Sequence, residues 1–403
     1  MKTEVMAESI RKGITFLAKR QLPSGEFAIM RWEKPHMHAA SYVKSVFITS
    51  FVLHSLRHAV DSETVEEISQ RAIRFLLDEM EHKGFWRFFG KNSYVHFDVD
   101  DTCCILASLK EWEVQMDYHS LASTLLKYRD KQGLFYTWIL DVDPPFKKED
   151  NNIDRVVNAN ALFLYSLLGQ SLPEVEEFLI QVVETGAFQE RSPYYDSSVA
   201  FVYCLTRAYA DGRNSRLSAA FAKTKEYLAY LKRRNRTYGD PLENALATVA
   251  LLSCSNRSRE AEQDIEQLIS MQQEDGGWPI GIFFTGGPYT EYRIAYGSRE
   301  LTTAIALEGI SKYISPVRAT SSQHENLLPT QGCAGPPAAA ARRSMGRRTA
   351  SALEVPTGPG GQSSQEVQAS GGVRPAPYRP GLQYPRVPFT LQAEQGARLC
   401  SNT

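Results

Sequence analysis

No apolar run in the 403 residues approaches the roughly 18 that cross a bilayer. Charge of one sign is also missing. A net charge of -1 excludes binding to nucleic acid or anionic membrane through bulk electrostatics. The opening segment MKTEVMAESIRKG has neither the apolar core nor the small-residue cleavage site of a secretory leader. Cysteines are few, and Cys103, Cys104, Cys204, Cys254, Cys333 and Cys400 show no paired spacing. Four of them sit in apolar, helical-looking stretches, which predicts reduced core thiols in a cytoplasmic protein. Hydrophobic residues at 43% and aromatics at 11% are enough for a real core.

Apolar periodicity stops near Pro316. Segments such as GCAGPPAAAARRSMGRR and PTGPGGQSSQ are rich in Gly, Pro, Ala, Arg, Ser and Gln. Such a composition buries too little to offset chain entropy, so 316–403 is expected to be a disordered tail behind a folded 1–315.

Within the folded part, short turns pairing a glycine with an aromatic recur: PSGEF at Gly25, HKGFW at Gly84, KQGLF at Gly133, ETGAF at Gly186, RTYGD at Gly239 and EDGGW at Gly277. Their glycines lie 59, 49, 53, 53 and 38 residues apart, room for two helices per repeat. Before each turn comes an amphipathic helix such as TVEEISQRAIRFLLDEM or SREAEQDIEQLISM, apolar every three or four positions. After it comes a drier one, such as DTCCILASL, VNANALFLYSLLG or ELTTAIALEGI, apolar around most of its circumference and therefore buried. Six wet helices around six dry ones predict an all-α fold, an α6/α6 barrel, with weak strand signals throughout. The glycines are expected at φ > 0 in the turns, with the aromatics packing the corners.

Winding every pair alike gathers the six inner-helix N-termini at one mouth, a positive, donor-rich rim. Polar residues cluster at those starts: Tyr42 and Lys44; Asp98, Asp100 and Asp101; Asp154, Arg155, Asn158 and Asn160; Tyr194, Tyr195 and Asp196; Glu243 and Asn244; Tyr296, Arg299 and Glu300. Each could be a simple helix cap. The stretch DVDDT alone carries three carboxylates in four residues. Crowding and an apolar surround disfavour full ionisation, so one of the three could hold a proton near neutral pH and act as a general acid. Two other uses stay open: oxygen ligands for Mg²⁺ and an over-built cap.

FDVDDTCCILASL resembles the Asp-x-Asp-Asp-Thr motif of class II terpene cyclases, the group of squalene-hopene cyclases and related diterpene cyclases. The turns resemble that superfamily's Gln-plus-Gly-x-Trp repeats, best in QQEDGGW and in degenerate form in QLPSGEF. The resemblance covers the repeat region and implies the same α6/α6 barrel. It implies that Asp100 donates a proton to a terminal alkene or epoxide of an isoprenoid, a small-molecule substrate. Asp98 and Asp101 would orient and polarise it, and Thr102 would assist. Aromatic faces would stabilise the cation and keep water away. Substrate contacts are then expected from Phe85, Trp86, Tyr194 and Trp278, and from Asp154 and Asn158 on one face of NNIDRVVNANALF. Arg293 or Arg299 would meet a diphosphate, with Mg²⁺ as its possible counterion and no other cofactor. Full-length members build the site between two barrels, so a partner domain or oligomer could complete it here.

Three rivals share the architecture. A protein prenyltransferase β-like subunit needs a zinc-binding histidine from a late repeat, yet after His119 the next histidine is His324, in the tail. A carbohydrate-acting barrel with two carboxylates fits DVDDT and Gly-Trp turns poorly. A non-catalytic lipid-binding or scaffold barrel would use the acidic cluster as a cap alone.

Overall fold

A computed structural model describes residues 3–33, 40–59, 62–81, 84–140, 151–253, 258–286 and 294–314. The expected disordered tail, 316–403, lies outside the described residues, as do Arg293 and Cys254.

Twelve α-helices form six pairs among the described residues. The outer set is α1 (Thr3–Arg20), α3 (Glu63–Asp78), α5 (Tyr118–Leu125), α7 (Pro173–Glu184), α9 (Ser218–Asn235) and α11 (Arg259–Ser270). The inner set is α2 (Val46–Leu56), α4 (Val99–Glu111), α6 (Arg155–Leu167), α8 (Ser198–Thr206), α10 (Pro241–Leu252) and α12 (Arg299–Ile314). Each inner helix packs on the next, and α12 returns to α2, which closes the ring. The all-α barrel read from the periodicity is the architecture observed.

Burial explains why the two sets read differently. Every residue of α2 is buried, and α4 is buried through Leu109, because these helices touch the lumen on one side and the outer layer on the other. By contrast α3 buries Val65, Ile68, Ala72, Ile73, Phe75 and Leu76 while its glutamates face out. The free thiols of Cys103, Cys104 and Cys204 are core residues.

A shared hydrogen-bond pattern locks the turns. In five of the six turns the backbone N–H of the aromatic donates to a side chain early in the following inner helix. Phe27 meets Thr49 at 3.1 Å, Trp86 meets Thr102 at 3.3 Å, and Phe135 meets Asn158 Oδ1 at 2.9 Å. Tyr238 meets Asn244 Oδ1 at 3.2 Å and Trp278 meets Thr303 at 3.0 Å. Both tryptophans also donate Nε1–H to the end of the preceding outer helix, Trp86 to Leu76 O and Trp278 to Leu268 O, each at 2.7 Å. Leaving such a buried donor unpaired costs about 1–3 kcal/mol, so polar residues at these positions hold pairs together. Positive φ occurs at Gly25, Gly84, Gly133, Gly186 and Gly239 as expected, but in the sixth turn it falls on Gly276. Gly277 serves differently: a Cβ there would lie 2.6 Å from the Phe16 ring.

The strands depart from the sequence reading. A four-stranded antiparallel sheet of order β2-β1-β6-β5 forms from β1 (Ile29–Glu33), β2 (Ser41–Val43), β5 (Gly281–Thr285) and β6 (Ile294–Ser298). A two-stranded pair joins β3 (Phe97–Asp98) to β4 (Trp138–Ile139). Two of the four strands come from the segment between the sixth turn and α12. Its GIFFT and IAYGS runs carry β-branched and aromatic residues that bury against the inner helices.

Candidate active site

Asp98 ends β3 and is the N-cap of α4. Its Oδ1 accepts the backbone N–H of Asp100 at 2.6 Å and of Asp101 at 3.4 Å. One carboxylate of the three is therefore spent on the cap, a task Ser45, Asp154, Ser197 and Asp240 perform at other inner helices.

Asp100 points elsewhere. Its Oδ1 accepts Asn160 Nδ2 from α6 at 2.8 Å, and its Oδ2 accepts the Tyr195 hydroxyl, just before α8, at 2.5 Å. Behind Asn160 stands Arg207, which donates Nη1–H to Asn160 Oδ1 at 3.4 Å. That guanidinium is 1% exposed and sits over the rings of Phe51 and Phe163, 4.6 and 4.4 Å from their centroids. It lies in a π-helical turn, Arg207–Asp211, that continues α8. Three inner helices and the loop before α8 thus converge on one carboxyl group.

Burial is the main cause of the proton affinities. It pushes Asp98 and Asp101 well above the carboxylate range, reinforced for Asp98 by Asp100 and for Asp101 by Asp98. Asp101 Oδ2 has no hydrogen-bond partner, which suits a neutral acid and would be costly for an anion. Asp100 is raised by burial to only about 6, because Tyr195 and Asn160 donate to its carboxylate. The middle aspartate is the strongest acid of the three. Its anion has two donors waiting for it.

Aromatic rings border it. Phe283 lies 5.7 Å from the Tyr195 ring and 5.1 Å from that of Phe51. Phe284 stacks on Tyr296 at 5.0 Å and meets Phe47 edge-on at 5.6 Å.

The sequence-expected residues divide into two groups. Asp98, Asp100 and Asp101 are together, and two others lie beside them. Asp154 caps α6, accepting from Val156 N at 2.7 Å and from Ser192, and its charge pushes Asp100 upward. Tyr194 accepts at its hydroxyl from Trp138 Nε1 and Asn152 Nδ2. Phe85, Trp86 and Trp278 are instead wholly buried in the repeat corners, and Asn158 and Thr102 are turn clamps. Arg299 is engaged by Asp275, Gln273 and the Trp278 carbonyl on the Gly-Trp turn, apart from the acid. Mg²⁺ fits the cluster poorly. The oxygens of Asp100 are engaged by donors, Asp98 is a cap, and a magnesium ion keeps several waters that this buried site does not accommodate.

Asn160 and Tyr195 were visible in the sequence as polar residues at inner-helix starts, without a role. Arg207 was missed. Its signal was a charge at the end of an otherwise apolar helix, SSVAFVYCLTRAY, the pattern of a buried cation.

No protein-family model matches the sequence. The drimenol cyclase drtB of Aspergillus calidoustus is 26% identical over 207 residues. That match covers 51% of this chain and 36% of the relative, so the alignment spans about a third of that protein's length. Two solved structures superpose over 77% of this chain. A protein from Actinoplanes has a TM-score of 0.60 at 17% identity, with 100% of it covered. The type II terpene cyclase MstE from Scytonema has a TM-score of 0.59 at 15% identity, with 98% of it covered. No helix among the described residues is long and apolar enough to cross a membrane. With its closed ring of six helix pairs, the chain has a class II terpene cyclase-like fold.

Proposed function

We propose that the chain is a protonation-initiated terpene cyclase with Asp100 as its general acid. The supporting observation is the carboxyl group itself. It is buried, raised to about 6, and held at both oxygens by Asn160 and Tyr195. The Asp100 O–H bond breaks as its proton forms a C–H bond to the terminal alkene of a linear prenyl chain. The resulting tertiary cation is attacked by the next double bond, and ring closure follows. Loss of a proton from the last cation, or capture by water, ends the sequence. Asn160 and Tyr195 stabilise the carboxylate left behind, and Arg207 supports it through Asn160. Asp98 and Asp101, raised by burial, oppose a second negative charge beside Asp100, and Asp98 also fixes its backbone through the cap. Phe51, Phe283 and Phe284 offer ring faces to the cation, roughly 0.5–2 kcal/mol each.

MstE has been captured with geranylgeranyl dihydroxybenzoate as substrate, and the curated relative is a drimenol cyclase. A polyprene of that kind, with a varied head group, is the substrate class proposed here. Arg299, bound to its own turn, is set aside as a diphosphate contact. The chain folds as 1–315, with the tail dispensable.

The test is incubation with C10 to C30 prenyl alcohols, diphosphates and aromatic-headed prenyl compounds, followed by mass analysis for cyclised products. Asp100→Asn should lower turnover by about 10²–10⁴-fold with an unchanged circular dichroism spectrum. Retained cyclisation in Asp100→Asn would assign the proton to another group, and absence of cyclised product from the unaltered chain would leave a non-catalytic barrel with the cluster as a cap.

A further inference from the structure

The opposite end of the ring, where the inner helices finish, holds a second cluster that the cyclisation chemistry does not use. His54 ends α2, His58 follows it, Asp211 closes the π-helical turn after α8, and Glu308 sits in α12. One ligand-type atom from each lies within 4.8 Å of all the others. His54 Nε2 is 3.9 Å from Asp211 Oδ2, and His58 Nε2 is 3.9 Å from Glu308 Oε1.

Two features point to a metal ion. First, the Nε2 atoms of both histidines are buried without a hydrogen-bond partner, and His54 is 0% exposed. Second, His54 Nδ1 lies 2.6 Å from Glu111 Oε2. That contact puts the ring proton on Nδ1 and leaves the Nε2 lone pair facing the cluster. A carboxylate behind a histidine in this way is the usual support of a metal-bound imidazole. Lys312 accounts for the carboxylates, with Nζ 2.8 Å from Glu308 Oε1 and 3.2 Å from Asp211 Oδ2. It also reaches Ser253 Oγ at 3.2 Å, and neither imidazole Nε2 has a partner.

We propose that His54, His58, Asp211 and Glu308 form a structural site for a divalent first-row metal of the zinc class. Two imidazoles and two carboxylates suit such an ion, and a fully protein-ligated set marks a structural role. Bonds of about 2.0–2.1 Å put tetrahedral donors about 3.4 Å apart, so the cluster contracts modestly on binding. Lys312 then keeps Ser253 and Asp211 Oδ1, 3.3 Å away, and releases Glu308. The ion would tie α2, the end of α8 and α12 together.

EDTA-treated full-length protein, titrated with Zn²⁺ alone in equilibrium dialysis, should take up one equivalent at this site. His58→Gln and Glu308→Gln should each weaken uptake by at least about 100-fold, and Glu111→Gln by about 10–100-fold. His119→Gln, on α5, should change nothing. Co²⁺ loading of the unaltered chain gives a readout independent of variant folding: intense d–d absorption expected of a four-coordinate nitrogen and oxygen set. Absence of saturable Zn²⁺ uptake overturns the proposal, as does a weak six-coordinate cobalt spectrum. Equal affinity in His58→Gln and Glu308→Gln overturns it too, since Lys312 would then be the only cation the cluster holds.

Discussion

The two ends of the barrel bury the same kind of side chain and hold it in opposite charge states. At the N-terminal mouth, Asp98 and Asp101 are pushed well above the carboxylate range, with burial the leading cause. At the C-terminal end burial also acts to raise Asp211 and Glu308. There Lys312, followed by His58 and His54, overrides it and holds both below their ordinary values. Burial sets the penalty for charge. A cation within reach decides whether the charge stays. The mouth stores protons; the far end stores ion pairs.

Removing the cation should break the contrast most strongly. Lys312→Met strands Asp211 and Glu308 as buried carboxylates, at an expected cost of about 3–5 kcal/mol by urea denaturation of metal-free protein. A loss under 1 kcal/mol would mean that both acids protonate easily and the two ends are alike.

Next comes pH, where the ends have opposite signs. A carboxyl raised in the native state adds stability that is lost as pH rises through its native value. For Asp100 that is about 6, and for Asp98 and Asp101 it lies well above 3.8. Asp211 and Glu308, lowered, add stability that is lost as pH falls below their unfolded values near 3.8 and 4.5. Stability should therefore peak at about pH 4 and fall as pH rises from there toward 6, where the unfolded chain has ionised and the raised carboxyls have not. On the alkaline side each carboxyl still protonated in the native state gives a slope of about 1.4 kcal/mol per pH unit. Asp101→Asn should flatten that side and leave the acid side as it was. A variant with an unchanged alkaline slope would show Asp101 to be ionised in the folded protein.

A smaller effect should come from the turns, which join the outer helices to the inner ones at the mouth end. Trp278→Phe removes the bond to Leu268 O and should cost about 1–2 kcal/mol in thermal unfolding without altering cyclisation. Lost activity would return Trp278 to the substrate wall.

The ring of helices was legible because the inner helices are apolar around most of their circumference while outer ones such as α3 and α11 are wet on one side, a contrast that survives without coordinates. GIFFT and IAYGS were harder: five-residue strands with a glycine each give too little alternation to tell from loop. At the mouth, Asp98, Asp100 and Asp101 were conspicuous as neighbours in sequence. Their division of labour was not, since Asn160 and Tyr195 stand 60 and 95 residues further along the chain. Trp86 and Trp278 misled for a chemical reason: a tryptophan can pack a corner or face a cation, and only the bonds to Leu76 and Leu268 tell which. The far-end cluster was invisible, because Ser55 and Glu308, in contact there, are 253 positions apart.

The central claim is that Asp100 supplies the proton that starts cyclisation. Running the reaction in D₂O with an alkene-terminated prenyl substrate tests it directly by the mass of the product. One deuterium should be bonded at the former terminal alkene unit for the unaltered protein, with the yield from Asp100→Asn about 10²–10⁴-fold lower. A cyclised product without that deuterium, or a labelled product from Asp100→Asn at an undiminished rate, would contradict it.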